Sequence, residues 1–488
     1  MPIRSPAVLE QRLNDFDPRV RRDALEALVT LAGRQFPGKT GSNINLHCHS
    51  FFSYHAEGWS PTHIAWACSR KGLYAAALCD FDVLDGLDEF LDAGLVLGLR
   101  TAVHLETRAF VPAYAKVDIN SPGEPGVTYI MGAGFVAKPA ADSPQGRGLE
   151  AFRRAARARN EALVARINAR LPEIAIRYAR EVLPLTPLDV ATERHIVRAY
   201  AARARHVMPD AAPRAAFWAA LLKRQPDACA ALEADAPAFE EALRSALAKR
   251  GGIGYLQPDA ATFPPVSEFI AWVRSCGAIP TITWLDGTSG GETHCRAMLD
   301  ALREQGCAAL NIIPERNWNI AKPTERDVKI AKLDEIVKTA TALDLPINIG
   351  TEMNRAGLPF VDDLSGPELS RHRDAFVFGA QIMVGHTLLA RYAGAPYLGA
   401  RAQAEFPRLK ARNRFYASVG ALPPIVCESA DRLLNAGPNC AFTLLADAAR
   451  KASAGAALRP SAVAHRLAGG YPVRVTPVRG DTEKLDDA

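Results

Sequence analysis

Two histidines, His47 and His49, are the residues in this sequence best placed to do chemistry. They belong to the segment NLHCH (45–49), which begins as an apolar run and ends in imidazoles. On a strand, side chains two positions apart point to the same face, so both rings can reach one ion. The plainer alternative is that both rings are satisfied within a core or a loop, because short motifs often mislead. A metal site is therefore expected only if further ligands converge on this pair.

Two carboxylates supply that convergence. Asp80 ends the run AAALCD, and Glu106 ends the run TAVHLE, each of which is typical of a short buried strand. Barrel enzymes place their chemistry where parallel strands end on one face. Imidazole and carboxylate ligands suit Zn, Mn or Fe. We expect one or two such ions per chain, with Asp80 as a ligand or as the partner of a ligand.

Short strands that alternate with helices must position these residues. Strand, loop and helix recur from residue 43 to residue 106 and resume in IPTITW, ALNII and PINIG, a pattern typical of parallel α/β packing. Residues 149–250 are instead rich in Ala, Arg, Leu and Glu at helical spacing. The predicted segments are an N-terminal helical extension (1–40), the first part of a barrel (41–140), a helical insertion (141–255), the second part of the barrel (256–365), and a C-terminal helical segment with a charged tail (366–488).

Composition narrows the classes of function. Of 488 residues, 48% are hydrophobic and 23% charged, which is typical of a folded globular chain. The net charge of +5 is mild, and the thirteen arginines between Arg147 and Arg205 lack interleaved aromatics, which argues against nucleic acid as the main ligand. Nowhere do about 18 apolar residues run together, so no membrane span is expected. Nine cysteines without a CxxC pair favour reduced thiols and a cytoplasmic location. The oligomeric state stays open.

The motifs NLHCHS, SPTHIAWACSRKGLYAAALCDFD and GLRTAVHLE, in this order, resemble the polymerase and histidinol phosphatase (PHP) family over about residues 43–135. The shorter segments TITWLDGTSGGE and INIGTEMN are similar to the places where that family has its later ligands. The resemblance implies a distorted (β/α)7 barrel, up to three metal ions, and in many members the hydrolysis of phosphate esters. It assigns His47, His49, Glu106 and Glu352 to the first ion, with Glu352 in place of the usual aspartate.

The sequence departs from the family at other ligand positions. Phe81 and Trp284 stand where the family has histidines, and an aromatic ring cannot ligate such a cation. Asn354 falls on the final histidine position and is kept as a candidate ligand. In the loop after the histidine pair, His55 or Glu57 can serve a remodelled second ion.

The predicted activity is that of a metal-dependent hydrolase, a phosphoesterase that acts on a small anionic substrate through a metal-activated water. Asp80 is a candidate catalytic group, and His55, His104 or His294 is the candidate general acid. Arg316 is a candidate clamp for phosphate or carboxylate, and the Gly290-Gly291 turn offers amides to an anion.

Two alternatives remain open. The first is an isomerase, lyase or amidohydrolase that acts on a small sugar-like or carbonyl substrate, with Trp284 forming a wall of the pocket. The second is a degenerate PHP-like scaffold that binds a partner through its helical insertion.

Overall fold

A computed structural model describes residues 5–33 and 40–453 of the chain. The charged tail predicted at the C-terminus lies outside these residues. Seven strands form one mixed sheet in which the order in space follows the order in sequence. The strands are β1 (Ile44–Cys48), β2 (Ala75–Phe81), β3 (Arg100–Phe110), β4 (Val127–Ala133), β5 (Ile279–Trp284), β6 (Ala309–Ile312) and β7 (Ile347–Ile349).

The two edges of the sheet approach each other and nearly close a barrel. An isolated parallel bridge joins Cys48 to Glu352, and the backbone N–H of His49 donates to the carbonyl oxygen of Glu352 at 2.9 Å. Gly350 permits this approach, because a Cβ there would lie 2.4 Å from the backbone nitrogen of His47. The predicted α/β class with a barrel-like sheet is therefore confirmed at this coarse level.

One strand runs against the predicted parallel arrangement. β4 is antiparallel to both β3 and β5, whereas the remaining pairs are parallel. The connection from β3 to β4 contains a single 3-10 turn, Pro112–Tyr114, and no crossover helix. Because the crossover between parallel neighbours is usually helical, a link without such a helix favours an antiparallel return.

Helices surround the sheet and also form the segment between β4 and β5. Proline occupies the first helical turn in several of them, where its missing N–H removes no helical bond. The helices are α1 (Pro6–Arg12), α2 (Pro18–Ala32), α3 (Pro61–Arg70), α4 (Leu87–Leu97), α5 (Pro144–Arg170), α6 (Glu193–Val207), α7 (Ala211–Leu222), α8 (Pro226–Ala234), α9 (Ala236–Leu247), α10 (Val266–Ser275), α11 (Cys295–Glu304), α12 (Glu315–Trp318), α13 (Pro323–Ala342), α14 (Arg373–Ala393), α15 (Ala400–Glu405), α16 (Leu409–Gly420), α17 (Cys427–Ala436) and α18 (Pro438–Ser453).

The segment between β4 and β5 has an apolar core of its own. Helix α5 connects the two cores, since Leu149 packs in the core of the barrel and Leu163 in that of the insertion. Polar contacts join the insertion to the barrel elsewhere. Arg153 pairs with Asp85 at 3.3 Å, for example. The insertion is thus a helical unit packed beside the strand ends.

Trp284 does not form the pocket wall suggested for it. Thr283, its neighbour on β5, pairs with Asn311, which contacts His47 inside the barrel. Adjacent strand residues face opposite sides of a sheet, so Trp284 points outward. Its side chain is buried in the main core, near Gly287.

None of the helices described in residues 5–33 and 40–453 combines the length and the apolar character needed to span a bilayer. The nine cysteines all lie within these ranges and all are free thiols.

Candidate metal centre

Three of the predicted ligands meet inside the barrel. Oε2 of Glu106 lies 3.3 Å from Nε2 of His47 and 3.4 Å from Nε2 of His49. All three side chains are buried, and none of these three atoms has a hydrogen-bond partner within the described residues. Buried polar atoms without partners are rare in folded proteins. Two imidazoles and one carboxylate form a donor set that fits a divalent ion.

Asn311 on β6 holds the ring of His47. Its amide nitrogen lies 3.1 Å from Nδ1 of His47, and its amide oxygen has no partner within the described residues. A half-turn of the amide brings the oxygen to Nδ1, where it accepts the Nδ1 proton. The lone pair of Nε2 then points into the cluster. Asn311 is therefore suited to orient His47 as a ligand.

A serine links His49 to the carboxylate of Asp80. Nδ1 of His49 lies 3.3 Å from Oγ of Ser53, and this hydroxyl donates to Oδ1 of Asp80 at 2.6 Å. The backbone N–H and the hydroxyl of Ser50 each donate to Asp80 at 2.7 Å. Asp80 is thus occupied by three donors, and the chain of bonds places the proton of His49 on Nδ1. Phe81 stacks on the His49 ring at 4.6 Å and fixes its plane.

We expect Ser53→Ala to lower the affinity of the chain for Zn²⁺ or Mn²⁺ by about 10–100-fold, the usual effect of removing a partner of a metal ligand. The reason is that His49 then loses the acceptor that holds its proton on Nδ1. Competition with a chromophoric chelator measures the affinity. Ser53→Thr, which keeps the hydroxyl, should restore it. Ser418→Ala is the control, since within the described residues that half-buried hydroxyl donates to the carbonyl of Phe415 in its own helix. An affinity unchanged by Ser53→Ala would disprove the link.

The cluster is electrostatically self-consistent without an ion. Burial opposes the charged form of Glu106, but His47 and His49 outweigh it and lower the pKa of Glu106 to about 2. Burial likewise opposes protonation of His47, yet Glu106, with help from Glu352, raises the pKa of His47. A divalent ion bound here would therefore compete with the protonation of His47.

Glu352 lies beside the cluster and is already paired. Its Oε2 accepts from Nη2 of Arg316 at 2.7 Å. Burial raises the pKa of Glu352, but Arg316, then His47, outweigh burial and hold it below its usual value. The backbone is strained here, since Glu352 and Met353 have φ of 60° and 59°, in the left-handed region. Asn354 follows, half-buried in the same loop.

His55 and Glu57 form a pair of their own next to the centre. The backbone N–H of Glu57 donates to Nδ1 of His55 at 3.0 Å, and a carboxylate oxygen of Glu57 lies 3.1 Å from the same atom. Nε2 of His55 is buried and has no partner within the described residues. Burial lowers the pKa of His55, so the ring is neutral at pH 7. Trp59 stacks on it at 4.9 Å.

The other two candidate histidines are not among the three converging ligands. His104 is buried, with Nδ1 accepting from the N–H of Gly134 at 3.0 Å and Nε2 contacting the amide of Asn348 at 3.2 Å. Burial lowers the pKa of His104 to about 3, so the ring supports the barrel as a neutral group. His294 is exposed before α11, within electrostatic range of Glu335.

Several amides of the glycine-rich turn after β5 are already bonded within the chain. The carboxylate of Glu292 accepts from the backbone N–H groups of Leu285, Asp286 and Gly287, at 2.6, 3.1 and 2.9 Å. In the Gly290-Gly291 turn itself, the N–H of Gly291 donates to the carbonyl oxygen of Asp118 at 2.8 Å, so this amide is not free for an anion.

Sequence reasoning missed Ser53 and the role of Asn311. A signal for Asn311 exists, because a lone amide in an otherwise apolar buried strand must find a polar partner. Ser53 carries no comparable signal, since serines are common in loops after strands.

No protein-family model matches the chain, and no curated protein matches it. Two solved structures resemble it distantly. One is a protein from Bifidobacterium adolescentis provisionally assigned as a metal-dependent phosphoesterase, with 19% identity, a TM-score of 0.42, and coverage of 68% of this chain and 96% of that chain. The other is an amidohydrolase from Chromobacterium violaceum with bound sulfate and no metal, with 17% identity, a TM-score of 0.44, and the same coverage of both chains. Likenesses this distant identify neither a family nor a reaction.

Proposed function

We propose that this chain is a metal-dependent hydrolase whose ion is held by His47, His49 and Glu106. The observation that carries the proposal is the meeting of three buried ligand atoms, all within 4.8 Å of one another, that lack hydrogen-bond partners in the described part of the chain. A divalent ion bound there would lower the pKa of a water and so supply a nucleophile near neutral pH. The motifs that resemble the PHP family support the same proposal.

The chain's own residues supply the remaining functions. Ser53 and Asp80 keep the proton of His49 on Nδ1, and Asn311 orients His47. Arg316, whose side chain is 40% exposed, stands at the mouth of the centre and suits a phosphate oxygen of the substrate. Because Nδ1 of neutral His55 accepts the backbone N–H of Glu57, its unpartnered Nε2 carries the ring proton and can donate it as a general acid. We therefore propose a small phosphate monoester as the substrate class.

Elemental analysis of the purified protein tests the proposal, followed by chelation, reloading with Zn²⁺, Mn²⁺ or Fe²⁺, and assay against a panel of phosphate esters. We expect about one or two ions per chain and hydrolysis that returns on reloading. His49→Ala should lose both the ion and the hydrolysis. Wild-type protein that binds no divalent ion would refute the metal centre and favour a scaffold that binds a partner through its insertion.

A second candidate is hydrolysis at a carbonyl. Within the described residues, His47, His49 and Glu106 form one isolated group of three ligands. Two histidines and a glutamate with an open fourth position are the ligand set of several one-zinc peptidases, whereas many phosphatases use two ions. A panel of amides, esters and lactones on the same reloaded protein distinguishes the two activities.

A further inference from the structure

A second feature of the strand-end face is a cleft between the barrel and the insertion. It is lined on one side by Tyr54 and Ala56, which flank His55, and on the other by Arg194 and Arg198 of α6. Arg355, in the loop after β7, completes the lining. The backbone N–H of Ala56 donates to the carbonyl of Met353 at 3.0 Å, which fastens the two barrel loops together. The cleft is therefore built from the same two loops that carry His55 and Glu352.

The lining carries an excess of positive charge. Glu240 is the single carboxylate among the residues that line the cleft, against three guanidinium groups. Its two oxygens are already engaged, one by Nε of Arg198 at 2.9 Å and the other by the hydroxyl of Tyr54 at 3.1 Å. Arg194 turns to Glu241, which lies 3.3 Å away. Arg355 is thus the one guanidinium of the lining that neither of these carboxylates compensates.

Arg355 provides an independent observation. Its side chain is exposed, and within residues 5–33 and 40–453 its guanidinium makes no hydrogen bond and no ion pair. The other two guanidinium groups pack against the Tyr54 ring. Their carbons, of Arg194 and Arg198, lie 5.5 and 4.8 Å from the ring centroid. A free guanidinium beside two fixed ones can bind an oxyanion from several directions at once.

We propose that this cleft binds a phosphate group, as the second anionic end of a substrate whose reacting end lies at the metal centre. The placement of the reacting end rests on the proposed function, whereas phosphate binding in the cleft does not. Three guanidinium groups line one opening, and a phosphate group offers three acceptor oxygens to them. A carboxylate has two oxygens and fills fewer of the donors. The substrate class is therefore a phosphorylated small molecule bound at both ends.

Inorganic phosphate is the probe, and chelator-treated full-length protein is the material, so that no ion contributes. Isothermal titration calorimetry at low ionic strength should show one saturable site, weakened by added salt. Arg355→Ala and Ala356→Glu should each weaken binding at least about tenfold, because a charge-assisted contact is lost or opposed. Ala356 is an exposed residue of the lining, so its replacement spares the fold.

Two variants serve as controls. Arg432→Ala removes a guanidinium of α17 that is 72% exposed and pairs with Glu428, and it should leave phosphate binding unchanged. Arg316→Ala removes the cation at the metal centre. Because Arg316 pairs with Glu352 at 2.7 Å in the protein without an ion, this variant should weaken phosphate binding less than Arg355→Ala does. The proposal is overturned if wild-type protein binds no phosphate saturably, if acetate binds as tightly as phosphate, or if Arg316→Ala abolishes binding while Arg355→Ala preserves it. Phosphate binding by a protein that hydrolyses no ester would retain the subsite and remove the proposed hydrolase.

Discussion

We expect Glu106→Gln to lower the affinity for a divalent ion by more than about 100-fold, because even partners of metal ligands are worth about 10–100-fold. Glu106 supplies the negative charge that lies between the two histidine nitrogens, at 3.3 and 3.4 Å. Glutamine keeps the shape of the side chain but offers only a neutral oxygen, and its NH2 group can face the ion instead. Competition with a chromophoric chelator measures the loss, and hydrolysis should fall in parallel.

Glu57→Gln is the matched control for this substitution. Glu57 is the other glutamate beside a histidine of this region, and 54% of its side chain is exposed. If His47, His49 and Glu106 hold the ion alone, Glu57→Gln changes the affinity little. Equal losses in the two variants would instead make Glu57 a ligand, and full affinity in Glu106→Gln would remove the proposed centre.

Glu106→Gln should also alter how the free energy of unfolding depends on pH in the metal-free protein. Burial opposes protonation of His47, but Glu106 outweighs burial, so the pKa of His47 rises above its usual 6.5. The folded state then binds this proton more tightly than the unfolded state does. The resulting stabilisation is complete below 6.5 and is lost as the pH rises through the raised value. Urea unfolding of chelated protein across this range should show the decline, and Glu106→Gln should flatten it.

The second large effect is expected from Gly350→Ala. A Cβ at Gly350 would lie 2.4 Å from the backbone nitrogen of His47, 2.5 Å from its Cβ, and 2.6 Å from Oδ1 of Asn45. Backbone atoms cannot yield as a flexible side chain can, so β7 must move away from β1. We expect a loss of roughly 1–3 kcal/mol in the free energy of unfolding, the usual range for overpacking, and weaker metal binding because His47 moves.

Gly41→Ala is the matched control, since its added Cβ meets only the carbonyl oxygen of Gly72, at 3.4 Å. Urea unfolding of both variants without metal gives the stabilities, and the chelator competition gives the affinities. If Gly350→Ala matched Gly41→Ala in both measurements, the close approach of β7 to β1 would not be needed to hold His47.

The strand ends and their chemical groups could be predicted from the sequence, but the direction of every strand could not. Alternating short apolar runs and helices predicted the α/β barrel, and His47, His49 and Glu106 each end such a run. The direction of β4 depends on the link around Pro112–Tyr114, and the sequence of this link gave no clear sign that a crossover helix is missing. Periodicity therefore predicted the elements better than it predicted their pairing.

Contacts between distant loops were the least visible from sequence. The resemblance assigned Glu352 to the ion, but its pair with Arg316 at 2.7 Å is seen only in the structure. His104 shares a strand with Glu106, yet its ring lies deeper, between Gly134 and Asn348. Residue type and spacing identify groups that are able to ligate, but the depth of a side chain along the barrel axis and its competing partners arise only in three dimensions.

The two separate apolar cores have a consequence for how this protein can change over time. β4 and β5 lie side by side, so the insertion leaves and re-enters the barrel at adjacent points. Substitutions inside one core meet few atoms of the other, and their effects on stability should add. Selection can therefore remodel the helical unit, and with it the choice of ligand, while the reactive chemistry in the barrel stays intact.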